Sequence, residues 1–351
     1  MTIVKDKLIS FCTGAARKAG LSAGDAEILA DVLVTNDQRG VHSHGCVMLR
    51  GYLNSIKQGG TDPRAEISME IDTPAYTLVN GNNGQGVIVS YKAMKYAIEK
   101  ARKSGVAVVG VKNSTHCAAA GYYPMMCAEQ FMIGVFMSNG DPVMSIPGTV
   151  GRVMGNNPFA YAAPSGDGGA VFFDVAMSVI AGSKVKGFET EGKTLPPNWL
   201  IDKEGYPSTD PSDFVKGGTL LPFAMHKGYG FAVMVEILAA ILTGAGTMNE
   251  NVDWVANPGV KNNIGHFMIV INIASFMDPG VFSKRMDKMC DELRSAKKAP
   301  GYDRIYTPGE IELDCAARQS EFLSLPLAVS KSLEMMADEW GMVEEFDYLR
   351  K

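Results

Sequence analysis

The sequence lacks the charge pattern and the cysteine spacing that mark several large classes of protein. Its 351 residues carry 33 Lys and Arg against 38 Asp and Glu, so the net charge is −5, and basic residues form no extended run. This balance disfavours nucleic acid and anionic membranes as partners. The six cysteines are scattered and include no C-x-x-C pair. Since the first residues do not resemble a secretory signal either, we expect reduced thiols in a cytoplasmic protein.

Long hydrophobic runs are also missing. The most apolar stretch, residues 231–246, is too short to span a bilayer and carries Glu236. We therefore expect no membrane segment and predict a buried helix there. No internal repeat or low-complexity tract is visible, and the length suffices for two domains or for one elaborated domain with a sizeable core.

The Rossmann signature is absent as well. Residues 81–86, GNNGQG, form a glycine-rich loop between a predicted strand and a predicted helix. Their order is G-x-x-G-x-G, the reverse of the G-x-G-x-x-G fingerprint, and no acidic residue ends a second strand at the right distance. We therefore predict no Rossmann dinucleotide site, and we expect no P-loop either.

The stretch VKNSTHCAAAGYY, residues 111–123, carries the clearest chemical signal that is present. It follows an apolar run that predicts a buried strand and precedes a predicted helix, so His116 lies in a strand-to-helix turn. The small residues after His116 let a ligand approach the backbone. A histidine in such a turn can act as a general acid or base, because its ordinary pKa of about 6.5 lies near neutral pH. Taken alone, such a residue more often ties a loop down by hydrogen bonds.

Histidines are few, and their distribution is uneven. The five of them lie in turns or at predicted element starts near Gly or Ser: His42, His44, His116, His226 and His266. This distribution is typical of groups that line a pocket. In the motif Ser43-His44-Gly45, His44 is either a second polar group in a pocket or a surface residue at the start of a third helix. His42 and His44 point to different sides of a helix, so they do not fit a shared metal site.

Three further polar residues each allow two interpretations. Asp141 follows a predicted strand and either holds a histidine in one tautomer or belongs to a plain Asp-Pro turn. Asp174 ends an apolar strand and accepts hydrogen bonds either from a sugar hydroxyl or from backbone N–H groups. Lys227 lies at the start of a predicted helix, where it either meets a phosphate or is simply solvated.

Eight motifs follow one another along the chain: RGVHSHG, NSTHCAAAGYY, GNNPFAYAAP, FFDVAMS, DKEGYPSTDP, LLPFAMHKGYG, GHFMIVIN and YTPGE. The set resembles the malate/L-lactate dehydrogenase family of NAD(P)-dependent 2-hydroxyacid oxidoreductases. The likeness covers roughly residues 39–310, and the spacing looks closest to the ureidoglycolate dehydrogenase branch.

The resemblance implies a fold that composition alone does not give. It implies an α/β (α+β) chain in which nicotinamide cofactor binds a non-Rossmann domain with a mixed, largely antiparallel sheet. The expected parts are an N-terminal helical part at 1–70, a central cofactor-binding domain at 71–276 and a C-terminal helical part at 277–351 that packs with the N-terminal one. It also implies a homodimer with the active site near the interface.

The resemblance assigns roles to particular residues. His116 matches the proton acceptor of the family and His44 an acid/base residue, while Ser43 and Tyr52 would line the substrate. Contacts with the cofactor are implied for Asp174, Val175, Ala176, Lys227, Gly309 and Glu310.

One position departs from the usual pattern of the family. Many members carry an Arg that grips the substrate carboxylate at the place where this chain has Met48. Arg50 is no simple replacement, because positions two apart on a helix point about 200° away from each other. Specificity for a second carboxylate or a ureido group is therefore weakened.

The expected reaction is hydride transfer between C2 of a small 2-hydroxy acid, of malate, lactate or ureidoglycolate type, and a nicotinamide. We expect NAD as cofactor, with NADP left open, and no metal. A neutral histidine accepts the hydroxyl proton in oxidation, and its protonated form donates it in reduction. Two alternatives stay open, namely a ketimine (cyclic imine) reductase on the same scaffold and a non-catalytic ligand-binding homologue.

Overall fold

The computed structural model describes residues 1–166 and 169–350. Its helices within these ranges are α1 (Lys5–Lys18), α2 (Ala23–Gln38), α3 (Leu49–Lys57), α4 (Gly86–Ser104), α5 (Tyr122–Ala128), α6 (Gly182–Thr190), α7 (Ser212–Val215), α8 (His226–Glu236), α9 (Pro279–Arg294), α10 (Glu310–Arg318), α11 (Leu327–Trp340) and α12 (Val343–Arg350). Its strands are β1 (Thr2–Val4), β2 (Ser68–Asp72), β3 (Tyr76–Asn80), β4 (Val106–Ser114), β5 (Met132–Ser138), β6 (Phe159–Pro164), β7 (Ala170–Val175), β8 (Leu200–Ile201), β9 (Pro207–Ser208), β10 (Thr219–Leu220), β11 (Ile264–Asn272) and β12 (Phe322–Ser324).

A seven-stranded sheet forms the centre of the molecule, in the order β2-β3-β4-β11-β5-β6-β7. Only the β3–β4 pair is parallel, and the other five pairs are antiparallel. The apolar, β-branched sequences of β4 and β11 suit the middle of this sheet, where strands are covered on both faces. The prediction of a mixed, largely antiparallel sheet is confirmed.

The two ends of the chain share one hydrophobic core. Buried side chains of α1, α2 and α3 pack in a single cluster with those of α11 and α12. Strands β1 and β12 pair antiparallel beside this cluster, with Thr2 opposite Ser324. The implied packing of the N-terminal helices with C-terminal ones is therefore present.

Helix α9 lies beside the central sheet. Its Asp287 accepts a hydrogen bond from the backbone N–H of Gly166, at the end of β6, at 2.7 Å. Its Phe282 ring stands edge-on to Phe131, which precedes β5, with centroids 6.4 Å apart. The domain limits at residues 70 and 276 stay a prediction.

The predicted third helix starts later than its sequence suggested. Two short 3-10 turns, His42–His44 and Cys46–Met48, precede α3, which begins at Leu49. Gly45 separates the two turns with an extended backbone, φ −93° and ψ −146°. The site candidates Ser43 and His44 therefore lie in a turn held by tertiary contacts, and no regular helix carries them.

The most apolar segment is helical but not wholly buried. Helix α8 continues through a π-helical turn, Ile237–Ile241. Its outer face carries large apolar side chains that are between 44% and 63% exposed, namely Met225, Phe231, Ile237, Ile241 and Leu242. The prediction of a buried helix is thus wrong for this face. Among the described residues no helix is long and apolar enough to cross a bilayer.

A P-loop spelling does occur in the sequence, contrary to expectation. Residues 187–194, GFETEGKT, match G-x-x-x-x-G-K-[ST]. Helix α6 ends at Thr190 within this match, and Lys193 in the following turn pairs with Glu191 at 2.7 Å. A P-loop requires the glycine-rich turn to precede a helix whose N-terminus faces the phosphates. This segment therefore lacks the geometry of a P-loop.

Candidate active site

His116 follows β4 directly, in the turn that leads to α5. The N–H of Gly86, the first residue of α4, donates to the Thr115 hydroxyl at 2.8 Å. A Cβ at Gly86 would lie 2.0 Å from the carbonyl oxygen of Thr115, so only glycine fits there. The Tyr123 hydroxyl of α5 donates to the carbonyl of Cys117 at 2.6 Å. Helices α4 and α5 therefore fix the backbone on both sides of His116.

Tyr52 of α3 contacts the His116 ring. The Tyr52 hydroxyl lies 2.7 Å from Nδ1 of His116, and Tyr52 is 3% exposed. Burial raises the pKa of Tyr52 well above its ordinary value, so the hydroxyl keeps its proton. Because a hydroxyl both donates and accepts, it can bond Nδ1 whether or not that nitrogen is protonated. In the described part of the chain Nε2 has no hydrogen-bond partner, so it is the nitrogen open to a substrate.

His44 lies beside His116, and the family resemblance implied an acid/base role for both. The two rings are nearly parallel, with centroids 5.7 Å apart and an interplanar angle of 24°. The Ser43 hydroxyl is 2.9 Å from Nδ1 of His44. The Asn36 amide donates to the carbonyl of His44 at 2.9 Å. Ser43 thus contacts a catalytic candidate directly, and its hydroxyl orients the His44 ring.

Both rings are held in the neutral form. Burial, followed by the positive charge of Lys184, lowers the pKa of His44 to about 4. Burial, followed by the nearby His44 and His266, lowers the pKa of His116 to about 3. A neutral imidazole can accept a proton from a substrate hydroxyl, and the charged form that results is a strong acid in this setting.

The other three histidines do not join this pair. His266 of β11 is fully buried, with Nδ1 2.9 Å from the Ser138 hydroxyl and Nε2 2.8 Å from that of Ser114. His226 is exposed at the start of α8. His42 bonds Asp37 through Nδ1 at 2.8 Å. His116 lines a small cavity and His44 stacks on its ring, so these are the two of the five that the structure brings together.

Asp37 anchors the turn that carries Ser43 and His44, and sequence reasoning missed it. Its carboxylate accepts from the N–H of Cys46 at 2.7 Å and contacts His42 at 2.8 Å, and it is fully buried. A Cβ at Gly45 would lie 2.4 Å from Cγ of Asp37. The only signal in the sequence is a carboxylate near the end of an amphipathic helix, which usually indicates a solvated position.

Trp254 was also missed, although it covers the candidate base. Its indole lies 5.2 Å from the His116 ring at 22° and 5.2 Å from the Tyr52 ring at 23°. The three rings together line a small cavity with Thr115, Val260 and Asn262. Trp254 is 138 positions away from His116 along the chain, so no local pattern could have linked them.

Arg50 does not take the place of the arginine missing at position 48. Met48 is half-buried and packs on the helical core. Arg50 donates to Glu339 of α11 at 3.0 Å and 2.5 Å through Nε and Nη2. The Arg50 side chain is therefore engaged on the surface and is not directed at His116.

Asp141 lies in the turn that follows β5, as predicted, but it has no hydrogen bond to either catalytic candidate within residues 1–166 and 169–350. Burial, followed by the like charge of Asp253, raises the pKa of Asp141 to about 6. Nδ1 of His116 contacts the Tyr52 hydroxyl, and Nδ1 of His44 contacts the Ser43 hydroxyl. The orienting role predicted for Asp141 gains no support from these contacts.

The cofactor candidates gather at the end of β7. Oδ2 of Asp174 accepts from the N–H of Gly121 at 2.7 Å, so the backbone interpretation of this residue holds for one of its oxygens. Val175 and Ala176 follow, half-buried. The N–H of Phe172 on the same strand donates to the carbonyl of Pro308 at 3.1 Å, which brings Gly309 alongside.

Lys227 approaches this cluster from α8. A Cβ at Gly228 would lie 2.9 Å from the carbonyl oxygen of Met177, which directly follows Ala176, so the start of α8 packs against the end of β7. The Lys227 side chain is exposed and makes no ion pair with the rest of the described chain. Strand β7 and helix α8 therefore bring together residues that lie about 50 positions apart.

Glu310 is already engaged within the protein. Its carboxylate accepts from the N–H and the hydroxyl of Thr307 at 2.8 Å and 3.0 Å, and it pairs with Arg304 and Arg294. Burial alone would raise its pKa, but these partners hold the pKa of Glu310 at about 2. The carboxylate thus stabilises the turn before α10, and Gly309 in that turn has a left-handed backbone, φ 84°.

Potential metal ligands do not cluster in the part of the chain that the structure describes. No group of three His, Cys, Asp or Glu side chains lies close enough to hold an ion there.

Comparison with known proteins decides the family. The family model described as malate/L-lactate dehydrogenase matches residues 3–333. The chain belongs to this family. It is therefore a hydroxyacid oxidoreductase that works with a nicotinamide cofactor, and the resemblance drawn from the eight motifs is confirmed.

The individual relatives are named for different dehydrogenase activities. A malate dehydrogenase of Pyrococcus abyssi is 40% identical over 316 residues, which cover 88% of this chain and 86% of that protein. A ureidoglycolate dehydrogenase (NAD(+)) of Escherichia coli O157:H7 is 32% identical over 320 residues, which cover 91% and 90%. The expected closeness to the ureidoglycolate branch is therefore not confirmed, because the malate dehydrogenase shares more residues.

A solved structure shows the same fold with a different named activity. The crystal structure of delta1-piperideine-2-carboxylate reductase from Pseudomonas syringae pvar. tomato superposes with a TM-score of 0.85. It is 30% identical, and the match covers 96% of this chain and 100% of that one.

Proposed function

We propose that this enzyme interconverts a small 2-keto acid and its 2-hydroxy acid, with His116 as the proton donor and acceptor. The observation that carries the proposal is the His116 ring, which is held neutral, bonded at Nδ1 by Tyr52 and open at Nε2. In reduction the protonated ring donates from Nε2 to the substrate oxygen, and in oxidation the neutral ring accepts the proton back. Tyr52 accepts from Nδ1–H while the ring is charged, which lowers the cost of that state.

His44 has a supporting part in this proposal. Its ring lies parallel to that of His116, and its orientation is set by Ser43. Two positive charges this close would repel each other, so protonation of one ring disfavours protonation of the other. His44 therefore helps to make the His116 proton easy to release.

The residues at the end of β7 fit a nicotinamide dinucleotide, which supplies the hydride carrier when bound. Asp174 keeps one oxygen for ribose hydroxyls, and Lys227 offers an unpaired cation to phosphate oxygens. Val175 and Ala176 continue the chain directly after Asp174, and Gly309 packs on Phe172 of the same strand, where a Cβ would lie 2.3 Å from the ring. We propose NAD as the cofactor, because a carboxylate at the ribose accepts hydroxyl hydrogen bonds and repels an added phosphate.

The substrate carboxylate requires a cation, and we propose that Lys184 of α6 supplies it. Met48 is uncharged, and Arg50 is bonded to Glu339. Lys184 is the charged residue whose field lowers the pKa of His44 after burial, and its side chain is exposed with no ion pair among the described residues.

We further propose that two copies of the chain form a homodimer through the outer face of α8. Exposed apolar patches of this kind usually mark an interface. Lys227 lies in the first turn of the same helix, so a partner subunit on this face would lie near the proposed cofactor site. The free cysteines support a reducing, cytoplasmic location.

A second activity is a reductase of cyclic imines, which the similarity to the Pseudomonas syringae reductase favours. It would use the same histidines, because an imine nitrogen also takes up one proton with the hydride. A non-catalytic homologue is less consistent with an intact His44–His116–Tyr52 arrangement.

The test is a spectrophotometric panel. Purified protein is offered NADH or NADPH with 2-keto acids and with cyclic imines, and the absorbance of the reduced nicotinamide is followed. Oxidation with keto acids, and its loss by about 10² or more in His116→Ala, supports the proposal. Turnover of imines alone would transfer the assignment to the second activity. Near-normal turnover in His116→Ala would remove His116 from its role and point to His44.

A further inference from the structure

One loop covers the candidate base, His116, through its residue Trp254. It runs over residues 251–263, between the turn Met248–Glu250 and β11, and it is closed on itself by amide side chains. The N–H of Val252 donates to Oδ1 of Asn262 and the Asn262 amide donates back to the Val252 carbonyl, both at 2.9 Å. The N–H of Asn263 donates to Oδ1 of Asn251 at 3.1 Å. These bonds make the loop a rigid unit.

The loop packs tightly on α3 and on the turn after it. A Cβ at Gly60 would lie 2.0 Å from the carbonyl oxygen of Pro258. A Cβ at Gly51 would lie 3.0 Å and 3.1 Å from Cζ3 and Cη2 of Trp254. Two glycines therefore allow the loop to approach α3, the helix that carries Tyr52.

At the centre of this contact, Trp254 is stacked on both members of the hydrogen-bonded pair. Its ring lies 5.2 Å from His116 and 5.2 Å from Tyr52, at angles of 22° and 23°. Tyr52 and His116 are joined at 2.7 Å, so the three side chains form a closed set of mutual contacts. No other tryptophan among the described residues stacks on a histidine.

We propose that Trp254 is a positioning residue for His116: it fixes the plane of the imidazole and excludes water from it, so that Nδ1 stays on Tyr52 and Nε2 faces the substrate. The expected effect on kcat rests on the proposed function, whereas the expected effect on the His116 ring does not.

The physical reason is that the histidine ring rotates easily about its second side-chain torsion. Its second torsion joins sp³ and sp² atoms and has a broad, shallow profile, so covalent geometry does not fix the ring plane. A parallel aromatic neighbour restricts this rotation, and the contact itself contributes modestly to stability. The indole also contributes to the burial that keeps the His116 ring neutral.

Several other groups face His116 and must be considered in any titration. They are Tyr52 of α3, His44 of the His42–His44 turn and His266 of β11, with Lys184 of α6 acting on His44. In the loop itself, Asp253 precedes Trp254 and acts on Asp141. Of these groups, only Tyr52 is in ring contact with Trp254. A changed titration would therefore report the loss of the indole, acting on His116 directly and through Tyr52.

The experiment compares Trp254→Ala with Trp254→Phe. The pKa of His116 is measured from the histidine ring signals in NMR, where His116→Gln assigns the resonance among only five histidines. We expect Trp254→Ala to raise the pKa of His116 by about one or more toward its ordinary value, because water enters the site. We expect kcat to fall about tenfold while KM and the Kd of NADH change less than about twofold. Trp254→Phe should restore both.

The control is Trp340→Ala, which removes an indole of α11 that has no ring contact with His116 or Tyr52 among the described residues and should leave the pKa of His116 unchanged. An unchanged pKa of His116 and an unchanged kcat in Trp254→Ala would overturn the proposal, and so would a Trp254→Phe variant as impaired as Trp254→Ala.

If Trp254→Ala does not fold, Gly51→Ala provides the second variant, since its methyl group displaces the indole and should also raise the pKa of His116. If the wild type turns over no substrate, the proposed function fails while the NMR titration still decides the positioning role.

Discussion

Replacing Tyr52 by Phe removes one oxygen atom from the centre of the site. That oxygen lies 2.7 Å from Nδ1 of His116, in a position that is 3% exposed, so water cannot readily replace it. Among the described residues the N–H of Ala118 also lies near Nδ1, but it is 3.4 Å away, and as a donor it cannot accept the Nδ1–H of the charged ring. Tyr52→Phe therefore leaves a buried nitrogen without a good partner.

The size of the effect follows from the type of bond. Removing one partner of a buried hydrogen bond costs about 1–3 kcal/mol, and the bond is stronger while the ring is charged. Since the charged ring occurs along the proton-transfer step, most of this cost should appear in the barrier. A loss of about 1.4–2.8 kcal/mol corresponds to a decrease in kcat of about 10- to 100-fold.

The assay is steady-state turnover of the best keto acid at saturating NADH, together with urea unfolding. Tyr122→Phe is the control, because it removes a half-buried hydroxyl that donates to the Asp31 carboxylate of α2 at 2.6 Å and does not touch the His116 ring. Both variants should lose stability, but only Tyr52→Phe should lose kcat by tenfold or more. Equal kcat in Tyr52→Phe and wild type would refute the reasoning.

Other predictions follow from single contacts. Met48→Arg should improve turnover of dicarboxylates by about tenfold, since Arg grips a carboxylate bidentately, and no gain in an intact protein would show that position 48 does not face the substrate. Lys184→Gln should raise KM for keto acids severalfold with an unchanged Kd for NADH, and an unchanged KM would exclude Lys184 as the cation. Gly45→Ala should lower the free energy of unfolding by about 2 kcal/mol in urea, because the new Cβ would lie 2.4 Å from Asp37, whereas Gly230→Ala, with nothing within 4 Å, should be neutral or stabilising. Burial lowers the pKa of His266 to about 3, so the unfolded chain takes up a proton below pH 6.5 that the folded chain refuses, and this histidine alone lowers the free energy of unfolding by about 2 kcal/mol between pH 7.5 and 5. His44 and His116 act in the same direction, whereas Asp141 and Asp174, whose pKa values are raised to about 6, act in the opposite one, and an unchanged urea midpoint over this range would contradict the net loss.

Local patterns predicted single elements, such as the strand before His116 and the turn that carries it, because strand alternation and glycine-rich turns are encoded in consecutive residues. The mixed sheet and the acid/base roles of His44 and His116 were implied by the family resemblance. Tyr52 was expected to line the substrate, and in the structure its hydroxyl contacts His116. The helix start at residue 43 was wrong, because the buried Asp37 side chain competes for the backbone N–H of Cys46.

The remaining errors concern contacts between distant parts of the chain. Trp254 and Asp37 could not be found, since nothing in their own sequence surroundings distinguishes a stacking ring or a buried anchor from ordinary loop and helix residues. Glu310 was assigned to the cofactor, yet its carboxylate is taken up by Thr307 and two arginines. Helix α8 was expected to be buried, and a single chain does not reveal a surface that a second molecule could cover.

That outer face of α8 has a consequence for how the enzyme behaves on dilution. If two subunits bury Phe231, Ile241 and Leu242 against each other, the folded state gains free energy that depends on subunit concentration by mass action. The midpoint of thermal unfolding should then rise with protein concentration, and specific activity should decline below the dissociation constant of the dimer. An enzyme assay carried out at nanomolar concentration would therefore report on assembly as much as on the chemistry of His116.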